Sequence, residues 1–192
     1  MDFQTARKFI LKKLKEELKS DLFYHSYAHT LDVYASTQEI AALEGINGEN
    51  LTLLKTAALY HDCGFLRTYQ EHEKVGCDIV REYLPEFGYN HRQVESICGM
   101  IMATKVPQQP QNHLEQIICD ADLYYLGRDD FFPVGQNLLK EFMHYGILAD
   151  ENDWNNIQVK FLSNHQYFTQ TAKKNRAPRK AEHLAQILRM AS

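Results

Sequence analysis

Three stretches that read as apolar helix are interrupted by groups that do not stay buried alone. YHSYAHT carries His25 and His29, LYHDCGF sets His61 beside Asp62, and CDADLYYLG carries Asp120 and Asp122. Burying an imidazole or a carboxylate without a partner is costly. A chain that packs all three faces into one core therefore does best by letting the polar groups meet.

The pattern around these stretches is helical almost throughout. TARKFILKKLKEEL spaces Ile10, Leu14 and Leu18 four apart, with Lys and Glu between them. A second helix is expected over about 24–44, with Asp21 or Ser26 near its start and Gly45 and Gly48 at its end. Its apolar period runs through Tyr27, Leu31 and Tyr34 or Ala35, and as helical neighbours His25 and His29 share a face. Further helices are expected over about 51–62 with its end at Gly64, 72–84 closed by Pro85 and Gly88, 90–104, and 114–127. Three more cover roughly 135–149, 153–171 and 180–190, and Pro107 and Pro110 enforce a loop in KVPQQPQNH. Val and Ile are sparse, no run alternates as a strand does, and no repeat is visible. The expectation is an all-α, compact helical bundle forming a single domain over residues 1–192.

Composition removes several function classes. Hydrophobic content of 44% and charged content of 24% are those of an ordinary globular chain. The net charge of −4 argues against dedicated nucleic-acid binding, while leaving room for a small phosphorylated ligand held by a local cation. No apolar run is long enough to span a membrane, and MDFQTARKFI has no secretory core. The acceptor-like tripeptide at Asn50 is therefore read as chance. Cys63, Cys77, Cys98 and Cys119 show no CxxC spacing, which disfavours a thiolate zinc site and fits reduced thiols in a cytoplasmic protein. Cys63, nearest the His61-Asp62 pair, is the candidate should a cysteine be catalytic.

Imidazole nitrogen and carboxylate oxygen together suit Zn, Mn, Fe or Mg. Such an ion would offset the burial of Asp62 and Asp122, and it could acidify water and polarise a phosphoryl oxygen. Each group also has a plainer reading. Asp120 could sit on a solvated face or orient a ligand histidine, Asp122 could pair with an arginine, and His25 could be a satisfied histidine at a helix start.

The order His29, His61-Asp62, Asp122 resembles the H…HD…D pattern of the HD-domain superfamily of metal-dependent phosphohydrolases. YHDCGF resembles its HDxG element, and ICDADLYYLG the element bearing the last aspartate. The resemblance covers about residues 24–127, with the later helices as an extension. It implies an all-helical core, with His29, His61, Asp62 and Asp122 as ligands of a divalent metal. One ion is expected rather than two, with Asp62 facing the second if there is one. YHSYAHTLDV also looks like an element of cyclic-nucleotide phosphodiesterases, which implies His25 as proton donor to the leaving oxygen. MATK resembles a nearby ATD element, but Lys105 replaces its acidic residue, so specificity does not carry over.

His72, in QEHEKVG, is expected as a second-metal ligand or a phosphate contact, while His91 and His113 stand in no motif. Arg67 and Lys105 are candidates to clamp a phosphate, against the alternative of solvated charge. Tyr124 and Tyr125 are expected as exposed-face aromatics, lining a pocket or an interface. KKNRAPRK, residues 173–180, reads as a solvated linker between helices or a phosphate- or partner-binding patch. The leading expectation is hydrolysis of a nucleotide or other small phosphoester by metal-activated water. Alternatives are a nucleoside triphosphate pyrophosphohydrolase and a non-catalytic nucleotide-sensing module that retains a metal. Oligomeric state is open.

Overall fold

The computed structural model describes residues 1–190. Among them ten α-helices occur and no strand: α1 Phe3–Glu17, α2 Tyr27–Leu43, α3 Gly48–Tyr60, α4 His72–Tyr83, α5 His91–Ala103, α6 His113–Asp122, α7 Phe131–His144, α8 Trp154–Asn164, α9 Gln170–Asn175 and α10 Ala177–Met190. The fold is the all-α bundle expected. Helix α2 packs on α3 and α6, α3 on α5, and α4 on α5, while α10 closes against α8.

Local chemistry sets most helix ends. Asp2 caps α1 by accepting from the Thr5 N–H, and Ala6, Ile10 and Leu14 then form its buried stripe. Ser26 caps α2 by accepting from the His29 N–H. Asn90 and Gln93 exchange bonds as a capping box at the start of α5.

Several expectations are corrected. The buried face of α2 is His29, Thr30, Val33, Tyr34, Ser36, Thr37, Ile40 and Ala41, whereas Leu31 and Ala35 face outward. His25 precedes the Ser26 cap, so it does not share a helical face with His29. Helix α6 stops at Asp122, and a 3-10 turn over Tyr124–Gly127 buries Tyr124 and Tyr125 rather than exposing them. The helix expected over 153–171 breaks after Asn164, because residues 165–169 cross back over α6. There Asp120 accepts from the backbone N–H groups of Phe168 and Thr169 and from the Thr169 hydroxyl. Asp120 is thus a fully buried tether, neither solvated nor bonded to a histidine.

Residues 173–180 are the α9–α10 junction rather than an open linker. Arg176 lies over the Tyr124 ring at 4.1 Å, and the buried Lys180 donates to the Leu162 carbonyl at the end of α8.

Helix α3 delivers His61 and Asp62 at its end, and a 3-10 turn over Cys63–Leu66 carries the chain away. Gly64 is required there: a Cβ at this position would lie 1.9 Å from the backbone oxygen of His72. This close approach seats the start of α4 against the His61-Asp62 pair.

Candidate metal centre and active-site cavity

Four side chains from three helices converge. His29 comes from the first turn of α2, His61 and Asp62 from the end of α3, and Asp122 from the last residue of α6. His29 Nε2 lies 3.2 Å from Asp122 Oδ1 and 3.5 Å from Asp62 Oδ2. His61 Nε2 lies 3.1 Å from Asp62 Oδ2 and 3.6 Å from Asp122 Oδ1. The ligand atoms of His29, His61 and Asp122 all lie within 4.8 Å of one another. His61 Nδ1 is placed to donate to the Ala58 carbonyl at 2.8 Å, which points Nε2 into the cluster.

Within this cluster two buried atoms have no hydrogen-bond partner among the described residues, His61 Nε2 and Asp62 Oδ2. Orphaned atoms of this type, a lone-pair nitrogen beside a carboxylate oxygen, are what a divalent cation satisfies. His29, His61 and Asp122 form a site fit for a single divalent metal ion.

The electrostatics lead the same way. Burial disfavours the His61 imidazolium, but the Asp62 and Asp122 carboxylates outweigh it and hold its pKa well above the ordinary value. Burial likewise works against the Asp122 charge, yet His29 and His61 push its pKa down to about 2. Without a cation the two carboxylates therefore draw a proton onto His61.

A cavity of about 390 Å³ opens beside this cluster, lined by His25, Asp62, His72, Lys105, Asp122 and Tyr125 among others. His72 Nε2 lies 3.5 Å from Asp62 Oδ1 and 3.6 Å from Glu73 Oε1. The ring of Phe65 stacks on both His25 and His72, at 4.4 and 4.0 Å. Lys105 reaches the cavity with Nζ 3.8 Å from Glu71 Oε1.

Arg67 is not brought to the cavity. It is exposed, and its Nη2 donates to Glu82 Oε2 at 2.7 Å. His91 starts α5 on the surface, and His113 pairs with Glu44 at 3.3 Å, both apart from the cluster. Cys63 is fully buried, with its thiol toward the Gly76 carbonyl and its pKa pushed up by burial, so it is no nucleophile.

Glu141, on α7, was not foreseen. It is fully buried and accepts from the backbone N–H groups of Tyr24 and His25, at 2.8 and 3.1 Å, and from the Tyr69 hydroxyl at 3.0 Å. Its other contact is with His25 Nδ1. Burial works against the His25 cation, but Glu141 and then Asp62 outweigh it and raise the pKa. Nothing in the local sequence flags Glu141, which sits amid apolar residues 116 positions from His25.

The fold and site together define an all-helical metal-site protein whose ligands follow the order His, His-Asp, Asp. A model of the HD domain family matches residues 26–125, and the chain belongs to that family. It carries the fold of the HD-superfamily metal-dependent phosphohydrolases. Two solved structures share that fold. One is described as a predicted HD superfamily hydrolase from an uncultured Thermotogales bacterium, with 22% identity, coverage of 95% of this chain and 89% of that one, and a TM-score of 0.64. The other is a Lactobacillus plantarum protein, with 19% identity, coverage of 99% and 98%, and a TM-score of 0.68. No curated protein matches the sequence. Among the described residues no helix is long and apolar enough to cross a membrane.

Proposed function

We propose that the protein hydrolyses a small phosphoester, with a nucleotide as the substrate class, at the cavity beside the metal site. The observation that carries this reading is the pair of orphaned buried atoms, His61 Nε2 and Asp62 Oδ2, where three helices converge. His29, His61, Asp62 and Asp122 would hold the ion, as Mn, Fe, Zn or Mg. A bound divalent ion supplies Lewis acidity toward a phosphoryl oxygen and acidifies water.

The remaining work falls to the chain. His25, held through Nδ1 by Glu141, keeps its other ring nitrogen for the leaving oxygen, where it acts as proton donor. Asp62 offers Oδ1 toward His72, and His72 and Lys105 line the same cavity as donors to phosphate oxygens. Tyr69 and the N–H groups of Tyr24 and His25 saturate Glu141, which fixes its carboxylate against the His25 ring.

The test is a screen of phosphomonoesters, cyclic nucleotides and nucleoside mono- and triphosphates with each of the four metals added, with products identified. Turnover that is lost with EDTA and restored by one metal is the expected result. Orthophosphate release marks a phosphatase and pyrophosphate release a pyrophosphohydrolase. Absence of product with every substrate and metal, from protein shown to have bound metal, would overturn the reading.

A further inference from the structure

Cys77 on α4 and Cys98 on α5 meet where the two helices pack. Cys77 Sγ lies 3.5 Å from the Cys98 carbonyl oxygen, and Cys98 Sγ lies 3.7 Å from the Cys77 carbonyl oxygen. Each side chain thus reaches across to the other's backbone, and the two thiols come within hydrogen-bond reach of one another. A disulfide needs such an approach, since its α-carbons sit roughly 4.4–6.8 Å apart. The other two thiols turn elsewhere, Cys63 Sγ to the Gly76 carbonyl and Cys119 Sγ to the Ala103 carbonyl.

Their surroundings differ as well. Burial pushes the pKa of Cys63 and of Cys119 up, as it does for inert core thiols. At Cys98 the hydrogen bond from Cys77 outweighs burial and, with the nearby Arg81 cation, holds the thiol below its ordinary value. The same bond, and next burial, push Cys77 up. One sulfur of the pair is thus suited to attack, and the other keeps its proton.

We infer that Cys77 and Cys98 form a redox-active dithiol, which hydrogen peroxide converts to a disulfide joining α4 to α5. The Cys98 thiolate attacks one peroxide oxygen and the O–O bond breaks. This leaves a sulfenic acid on Cys98 and a hydroxide, which takes up the proton that Cys98 released and departs as water. The Cys77 sulfur then attacks the Cys98 sulfur. The S–S bond forms, the S–O bond breaks, and the departing hydroxide takes the Cys77 proton to become a second water. Two thiols have lost two electrons and two protons, and the peroxide has gained them. Neither cysteine lines the active-site cavity. The bond would nevertheless tie α4, which begins at His72, to α5, which leads to Lys105, and both of those residues do line it.

The folded protein is treated with millimolar hydrogen peroxide, quenched with catalase, unfolded in N-ethylmaleimide and digested with trypsin for mass spectrometry. A cross-link between residues 75–81 and 93–105 is expected, two hydrogens lighter than the two peptides together and reversed by dithiothreitol. Cys98 should be consumed about tenfold or more faster than Cys63 and Cys119, which are recovered capped. In Cys77→Ser the second thiol is missing, and dimedone should trap the sulfenic acid at Cys98. If that variant does not fold, Cys77→Ala is read in its place, and the wild-type cross-link decides if neither folds. No cross-link in the folded protein, or loss of Cys63 or Cys119 as fast as Cys98, overturns the inference. Dimedone labelling that falls on Cys63 or Cys119 instead of Cys98 does the same.

Discussion

Glu141 holds His25 twice: one carboxylate oxygen accepts the His25 backbone N–H and the other meets its ring Nδ1, while the neighbouring Tyr24 N–H is bound as well. His25, proposed as the proton donor, is thereby locked by α7, a helix outside the residues that match the family.

Glu141→Gln should keep the shape but lose the charge. Turnover is expected to fall by about tenfold or more, since a positioned acid contributes roughly 10²–10⁴-fold. The carboxylate raises the His25 pKa, so its loss should move the alkaline limb of the kcat profile to lower pH. A merely structural role would lower stability and leave that limb in place. A pH–rate profile of both proteins, with bound metal measured in each, decides.

His29→Ala and Asp122→Ala should each abolish metal binding and turnover, whereas His25→Ala should keep the metal and slow hydrolysis. Metal content after dialysis and steady-state rates provide the check. Normal turnover by metal-reconstituted Asp122→Ala would defeat the assignment of ligands.

Metal should also stabilise the fold. An ion that binds only the native state at about a hundred times its Kd adds about 2.7 kcal/mol. The Tm of the wild type should rise on metal addition and fall back with EDTA, and Asp122→Ala should show neither change.

His165 supplies a pH dependence away from the metal. Burial, and next the nearby Lys180 cation, lower its pKa from 6.5 to about 4. The neutral ring therefore favours the native state above pH 6.5, and that contribution is lost as pH falls toward about 4. The difference corresponds to roughly 3 kcal/mol. Urea unfolding at pH 7 and pH 5 should show a smaller loss on acidification for His165→Gln than for the wild type. Equal losses would remove His165 as the cause.

Gly64→Ala should destabilise by about 3 kcal/mol, at the upper end for forcing extra atoms into a packed site. The added carbon has backbone, not a flexible side chain, in its way. Chemical denaturation measures the loss. The variant should also weaken any role of His72, whose backbone must move.

Most of the helices and the three polar spots that converge as His29, His61, Asp62 and Asp122 were legible in the sequence, because helical period is local and because polar groups on apolar faces announce themselves. The limits of legibility were equally physical. Leu31 lies on the period expected for the buried face of α2, yet His29, Thr30 and Ser36 take the core side, since the face is chosen by what packs on it. Arg67 follows the His61-Asp62 pair closely but turns to Glu82. Glu141 looks like an ordinary polar residue on an amphipathic helix, and only the packing of α7 against residues 24 and 25 brings it to His25. Sequence by itself determined the all-helical class and the residue types of the polar cluster, which have few other uses when buried. Tertiary structure decided the partner of His25, the cavity's two unlike walls and the inward turn of the basic segment, because each depends on contacts between residues far apart along the chain.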